Sequence, residues 1–196
     1  NVIGIKCESN DCLSKHNINS NNKPIIGAVV NYNKNTNKII AIEYLYDKNK
    51  THNKNKYLIG RFGKNNNGTI GDPSIRSKGM EKHNFICPSN SAIYKVEGLY
   101  DSSGVKGIKF HCQDIKTGKN VKAYNSNNKK VYGVSFGIDP TIDSLDYLYN
   151  KSECLTTENK NGMIKPTFIS NIDGNFNTQT NNIQNLKFNK CSYYNK

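Results

Sequence analysis

The residues with the plainest chemical potential gather around one turn: Asp139, Thr141, Ile142 and Asp143, with Asp146 just beyond. Two carboxylates and a hydroxyl, spaced through Pro140, bring oxygen ligands and backbone donors within reach of one small ligand. Such a set suits sugar hydroxyls, and its hard oxygens also suit Ca²⁺. No Asp-x-Asp-x-Asp-Gly loop accompanies it, so no metal or other cofactor is expected. The same residues read equally as an Asp-Pro turn with solvated acids.

Acid–base chemistry near neutral pH would fall to His16, His52, His83 or His111. A basic, cysteine-containing chain with histidines suits a small secreted hydrolase of ribonuclease type, with His111 the member to test. Nothing in the spacing sets a nucleophile beside a base, so the expectation is a protein without enzymatic activity. Tyrosines end several segments (Tyr46, Tyr100, Tyr149, Tyr193, Tyr194). They suit a sugar ring or a lipid interface, and equally strand-end packing.

Charge narrows the partners. Lys and Arg number 28 against 15 Asp and Glu, a net +13 over 196 residues. That favours anionic partners, or simply a well-solvated surface. The lysines are dispersed, and the tips carrying Lys34, Lys38, Lys129 and Lys130 are the candidates for an acidic glycan or membrane headgroups. A well-placed lysine contributes about 1 kcal/mol at an anionic membrane. No nucleic-acid partner is expected, and no stretch approaches the ~20 apolar residues of a spanning helix. The chain opens on Asn1 without a signal-like segment, which reads as a processed or excised piece.

Six cysteines, an even number, fit a disulfide framework and an oxidising compartment, hence a secreted or cell-surface protein. Connectivity is open from sequence; the preferred set is Cys7–Cys12, Cys87–Cys112 and Cys154–Cys191. The last two each tie the approach to a hairpin to its far end. Sequons at Asn49, Asn67 and Asn150 are compatible with secretion.

The elements that must position these residues follow a recurring phrase: an aliphatic residue, a small one, Ile or Leu, a charge, then an aromatic or cysteine. It runs as Val2–Cys7, Ile39–Tyr44, Val105–Phe110, Ile142–Tyr147 and Ile183–Phe188, with a degenerate copy near Ile75. The mean step is roughly 36 residues. Within the copies apolar and polar residues alternate, as in Ile40, Ile42, Tyr44 and Tyr46 against Glu43, which predicts strands with one buried face. Hairpins are expected at Ile25–Tyr46, Ala92–Cys112, Val131–Tyr149 and Phe168–Phe188, a strand at Tyr57–Gly63, and a loop over residues 8–23. No window shows a helical period. The fold class is therefore all-β: about six hairpins forming three pseudo-repeated antiparallel sheets, disulfide-stapled, in one domain over residues 1–196. Closure of such a sheet would remove its exposed edges.

Six hairpins in three sheets is the plan of the β-prism. Val134-Ser135-Phe136-Gly137 followed by Ile142-Asp143-Ser144-Leu145 resembles the last hairpin of jacalin-like lectins. Cys87-Pro88-Ser89 with Val105–Cys112 resembles a repeat of the vitelline-membrane-outer-layer family. The chain as a whole is similar to the C-terminal β-rich domain of apicomplexan perforin-like proteins. The lectin resemblance implies sugar binding by a Gly-x-x-x-Asp loop, whose Asp matches Asp143 and whose Gly position is Asp139. The perforin-like resemblance implies membrane targeting for a pore-forming protein and an upstream domain in a longer chain, although this chain has no Trp. The expected function is a non-enzymatic recognition module for cell-surface glycans or membrane headgroups. The alternatives are the basic hydrolase and a purely structural extracellular module.

Overall fold

The computed structural model describes residues 13–20, 23–47, 56–63, 79–140, 157–158, 164–177, 179–180 and 182–193. Every regular element among them is a strand. In chain order they are β1 (Leu13–Asn19), β2 (Ile25–Asn33), β3 (Lys38–Asp47), β4 (Lys56–Gly63), β5 (Met80–Ile86), β6 (Ser91–Asp101), β7 (Gly104–Asp114) and β8 (Asn120–Val121). Then come β9 (Ala123–Tyr124), β10 (Lys130–Val131), β11 (Val134–Gly137), β12 (Thr157–Glu158), β13 (Ile164–Lys165), β14 (Thr167–Asn177) and β15 (Asn182–Tyr193). The all-β expectation holds.

Turn chemistry makes the hairpins. Between β2 and β3 the Asn33 side-chain oxygen accepts the Asn35 N–H at 2.9 Å, and Asn37 takes a φ of 54°. Asparagine tolerates that left-handed conformation better than most residues. The Tyr32 hydroxyl donates to the Asn37 side chain at 3.0 Å and closes the turn. Between β6 and β7 the Asp101 carboxylate accepts the Ser103 N–H at 2.8 Å.

Besides the two-stranded β9–β10 and β12–β13 ribbons, the described residues form three larger antiparallel sheets, ordered β1-β14-β15, β4-β3-β2-β5 and β11-β7-β6, with β8 also on β7. Their apolar faces meet in one core. Phe85 of β5 stacks on Phe110 of β7 at 5.2 Å between centroids, and Phe136 of β11 joins both at 6.0 and 6.1 Å. Tyr44 of β3 meets Phe188 of β15 edge-on at 6.5 Å. Aromatic rings thus bind the second sheet to the third and to the first, and truncating such a ring costs about 3–5 kcal/mol.

The Cys87–Cys112 disulfide is present, with an S–S distance of 2.08 Å. Cys7, Cys12 and Cys154 lie outside the described residues, as does the side chain of Cys191.

Three expectations are corrected. Within the loop expected over residues 8–23, Leu13–Asn19 is a strand paired to β14. Its polar outer positions hid it, but Ile18 is buried and the Asn17 amide donates to the Asn171 side chain at 3.0 Å. Glu43, expected on an exposed face, is 0% exposed, because the sheet is covered on both sides at β2 and β3. Finally, the single strand expected over Val131–Gly137 is broken at Tyr132-Gly133, where Gly133 has a φ of 73°. Its second half pairs with β7, while residues 142–149 lie outside the described residues.

Candidate functional site

The break at Gly133 organises two adjoining surfaces. In a continuous strand Tyr132 would share the phase of Val134 and Phe136, both buried in the core. The left-handed glycine ends that phase, and Tyr132 stands 60% exposed.

The first surface is the outer face of the β9–β10 ribbon. Its strands carry the same tripeptide pattern, Lys122-Ala123-Tyr124 and Lys130-Val131-Tyr132. Antiparallel pairing sets Lys130 opposite Tyr124 and Val131 opposite Ala123. One step further the same register brings Lys122 opposite Tyr132. Alternation then sends buried Ala123 inward and both Lys–Tyr pairs outward. The Lys122 ammonium lies 5.2 Å from the Tyr132 ring centroid, and that of Lys130 5.3 Å from Tyr124. Both distances fall within cation–π range. Tyr124 is 58% exposed, so both rings keep a face toward solvent.

The ribbon's tip is preorganised. The Asn125 side-chain oxygen accepts the N–H groups of Asn127 and Lys129 at 3.0 and 2.9 Å, and Asn128 adopts a φ of 62°. Lys129 at this tip is exposed. Two rings and three ammonium groups therefore sit on a short, fixed arm. A ring face can stack on the apolar face of a sugar while the flanking ammoniums meet sulfate or carboxylate.

The second surface is the outer face of the third sheet. Cross-strand register places Lys109 of β7 between Glu97 of β6 and Ser135 of β11. One row on, Lys95 is opposite His111, with Gly133 beyond. His111 Nε2 lies 2.9 Å from Glu97 Oε2, and the Tyr94 ring meets the imidazole edge-on at 6.3 Å. Burial lowers the His111 pKa, and Lys95 and Lys109 add to that against the opposing pull of Glu97. Burial pushes the Glu97 carboxyl up, but the His111 hydrogen bond and the nearby positive charges outweigh it and hold it below the carboxylate range. The pair is thus a neutral imidazole donating to a carboxylate, a brace across two strands.

Gly133 is required beside it. A Cβ there would lie 2.7 Å from His111 Cε1 and 3.1 Å from Lys109 Cδ. The missing side chain lets the backbone beside Tyr132 pack against the imidazole, so the two surfaces adjoin.

Of the acidic turn, Asp139 is described and Thr141, Ile142 and Asp143 lie outside the described residues. Asp139 Oδ1 accepts from the Ser135 hydroxyl at 2.7 Å and lies 3.2 Å from Lys109 Nζ. Among the basic candidates, Lys130 and Lys129 belong to the ribbon, whereas Lys34 is paired to Glu81 at 2.5 Å and Lys38 is half-buried opposite Asn33. Tyr46 forms a further cation–π pair, beneath Lys23 at 4.6 Å. His83 lies 3.0 Å from Glu81 Oε2, the side chain of His16 is outside the described residues, and so is His52. Sequence reasoning missed Lys122, Tyr124 and Tyr132. Their signal was the repeated Lys-aliphatic-Tyr flanking an Asn-rich turn.

Among the described residues no group of His, Cys, Asp and Glu could hold a metal ion, and no helix is long and apolar enough to cross a membrane.

No family model matches this chain, and no curated protein matches it. Among solved structures, a prostate-specific WGA16 glycoprotein lectin is similar over 95% of this chain and 96% of its own, with 11% identity and a TM-score of 0.47.

Proposed function

We propose that this protein is a non-enzymatic, extracellular recognition module that binds an acidic cell-surface glycan on the Lys122–Tyr132 and Lys130–Tyr124 face. The observation that carries this reading is the pair of exposed tyrosine rings, each flanked by an ammonium, on one rigid ribbon. Two exposed rings on one face of a ribbon offer apolar faces on which a sugar can stack. The surrounding charge has the sign that attracts polyanions, a net +13. The disulfide fits an oxidising exterior. Carried in a longer chain, such a module would deliver an upstream domain to glycan-bearing cells.

The test is a glycan array that includes sulfated, uronic-acid and neutral members, run beside co-sedimentation with phosphatidylserine vesicles. The reading expects retention of acidic members, with Tyr124→Ala/Tyr132→Ala removing most of it. A blank array at low salt, or binding confined to the vesicles, would overturn it, the second result favouring membrane headgroups.

A further inference from the structure

Asp139 reaches its contacts from outside. Its side chain is 60% exposed, whereas that of Lys109 is 21% exposed and belongs to the sheet surface. Lys109 and Ser135 are fixed opposite one another in the β7–β11 ladder, so the cradle they form does not depend on Asp139. Asp139, by contrast, belongs to the segment that leaves β11 beyond Gly137, whose φ is 74°. There its carboxylate takes an ammonium at 3.2 Å and a hydroxyl at 2.7 Å, the two contacts that a sulfate or carboxylate oxygen would make.

We propose that Asp139 is an intramolecular plug in an anion subsite formed by Lys109 and Ser135, and that an acidic group of the glycan displaces it. The inference rests on the glycan reading and extends it from the ribbon onto the sheet. His111 stands two residues along β7 on the same face, ~7 Å away by strand spacing. Gly133 packs against its imidazole, and the residue before Gly133 is exposed Tyr132. Gly133 also lies close to the Lys109 side chain, so an oligosaccharide stacked on Tyr132 has only that residue to cross to reach Lys109. The charges of this face balance, Lys95 and Lys109 against Glu97 and Asp139, with His111 neutral. Displacing Asp139 therefore exposes a cation that the protein otherwise screens. An ion pair with one such exposed member is weak, so a multivalent ligand can open it. The plug discriminates: neutral sugars gain nothing by displacing it.

The measurement is calorimetric titration of a heparin-derived sulfated hexasaccharide into the wild type, Asp139→Asn, Lys109→Met, the double variant, and Glu81→Gln. The last variant removes one charge from β5 and frees Lys34 in the β2–β3 turn, and so controls for net charge. Asp139→Asn is expected to tighten binding about five-fold, and Lys109→Met to abolish that gain in the double variant. Near-ultraviolet circular dichroism checks that each variant is folded. Weaker binding by Asp139→Asn would make its carboxylate a direct ligand contact and overturn the plug. A gain no larger than that of Glu81→Gln would overturn it as well. Tyr132→Ala separates the two readings: if it leaves wild-type affinity unchanged, the ribbon is not the site, whatever Asp139 does. If no protein in the set binds the hexasaccharide, both fall.

Discussion

Lys122 and Tyr132 face each other across the end of the β9–β10 ribbon, the ammonium 5.2 Å from the ring centroid. Lys130 and Tyr124 repeat the pair in reverse at 5.3 Å. One tripeptide pattern written twice yields this arrangement only because the strands run antiparallel, which turns Lys-x-Tyr on one into Tyr-x-Lys on the other. A parallel ribbon would set lysine beside lysine and lose the pairing to repulsion.

The pairing predicts a measurable coupling. In a double-mutant cycle of Lys122→Ala and Tyr132→Ala, the interaction energy in urea unfolding should be about 0.5–1 kcal/mol, the range of exposed cation–π pairs. A coupling indistinguishable from zero would mean that the two groups are neighbours without being partners.

In glycan binding the two residue types should separate by salt. Lys130→Ala should weaken binding at low ionic strength and matter little near 1 M salt, where the Debye length falls to about 3 Å. Tyr124→Ala should cost about the same at both, because ring stacking is unscreened. Parallel salt curves for the two variants would argue against a mixed aromatic and ionic site.

Gly133 is the residue on which the site's geometry turns. Gly133→Ala meets a left-handed backbone, costing about 1–2 kcal/mol, and a contact at 2.7 Å with His111 Cε1. The variant should lose roughly 1–3 kcal/mol of stability in urea. It should also weaken glycan binding even where it remains folded, since Tyr132 takes its direction from that bond. Adding His111→Ala should recover the steric part and leave the backbone part. Full stability in Gly133→Ala would show that the chain can rebuild the break without a glycine.

That position also explains what the sequence could and could not convey. The hairpins Ile25–Tyr46, Ala92–Cys112 and Phe168–Phe188 are legible because alternation with a period of two survives along them. The same rule applied to Val131–Gly137 puts Tyr132 in the core, and only a φ of 73° reverses it. A glycine permits that conformation without announcing it. Strand β1 is illegible for the opposite reason: its outer residues bond to β14 through side-chain amides such as that of Asn17, and a polar strand looks like a loop. Asp139 was recognisable as a candidate, but its position over Lys109 depends on the β7–β11 register, which local sequence does not encode.

Acid should loosen the outer face before it unfolds the chain. Burial first, with Lys95 and Lys109, holds the His111 imidazole below its ordinary value, while Glu97 pulls the other way and Tyr94 packs against the ring. The folded protein therefore takes up this proton less readily than the unfolded chain. The resulting stability is fully present above the ordinary value of about 6.5 and is lost as pH falls through the lower folded one. Thermal unfolding between pH 7 and 5 should show a decline that His111→Gln flattens, and the His111 ring should titrate below 6.5 by NMR. A midpoint above that value would reverse the sign and make Glu97 the dominant neighbour.

The disulfide links stability to the site. The Cys87 N–H donates to the Ile26 carbonyl of β2 at 2.8 Å, and Cys112 lies on β7, so the bond ties the second sheet to the third. It closes a separation of 25 residues, for which loop entropy gives about 3.5 kcal/mol. Cys87→Ala/Cys112→Ala should lose that amount in urea with a somewhat larger m-value, because the unlinked unfolded chain exposes more surface. The consequence should also reach the ribbon. Cys112 pairs with Val121 of β8, and Lys122 is the next residue, so loosening Cys112 frees one end of the Lys122–Tyr132 pair. Reduction with dithiothreitol under conditions where the fold persists should therefore weaken binding of the sulfated hexasaccharide several-fold. Unchanged affinity after complete reduction would show that the ribbon holds its geometry through its own turn at Asn125–Lys129, without help from the sheet behind it.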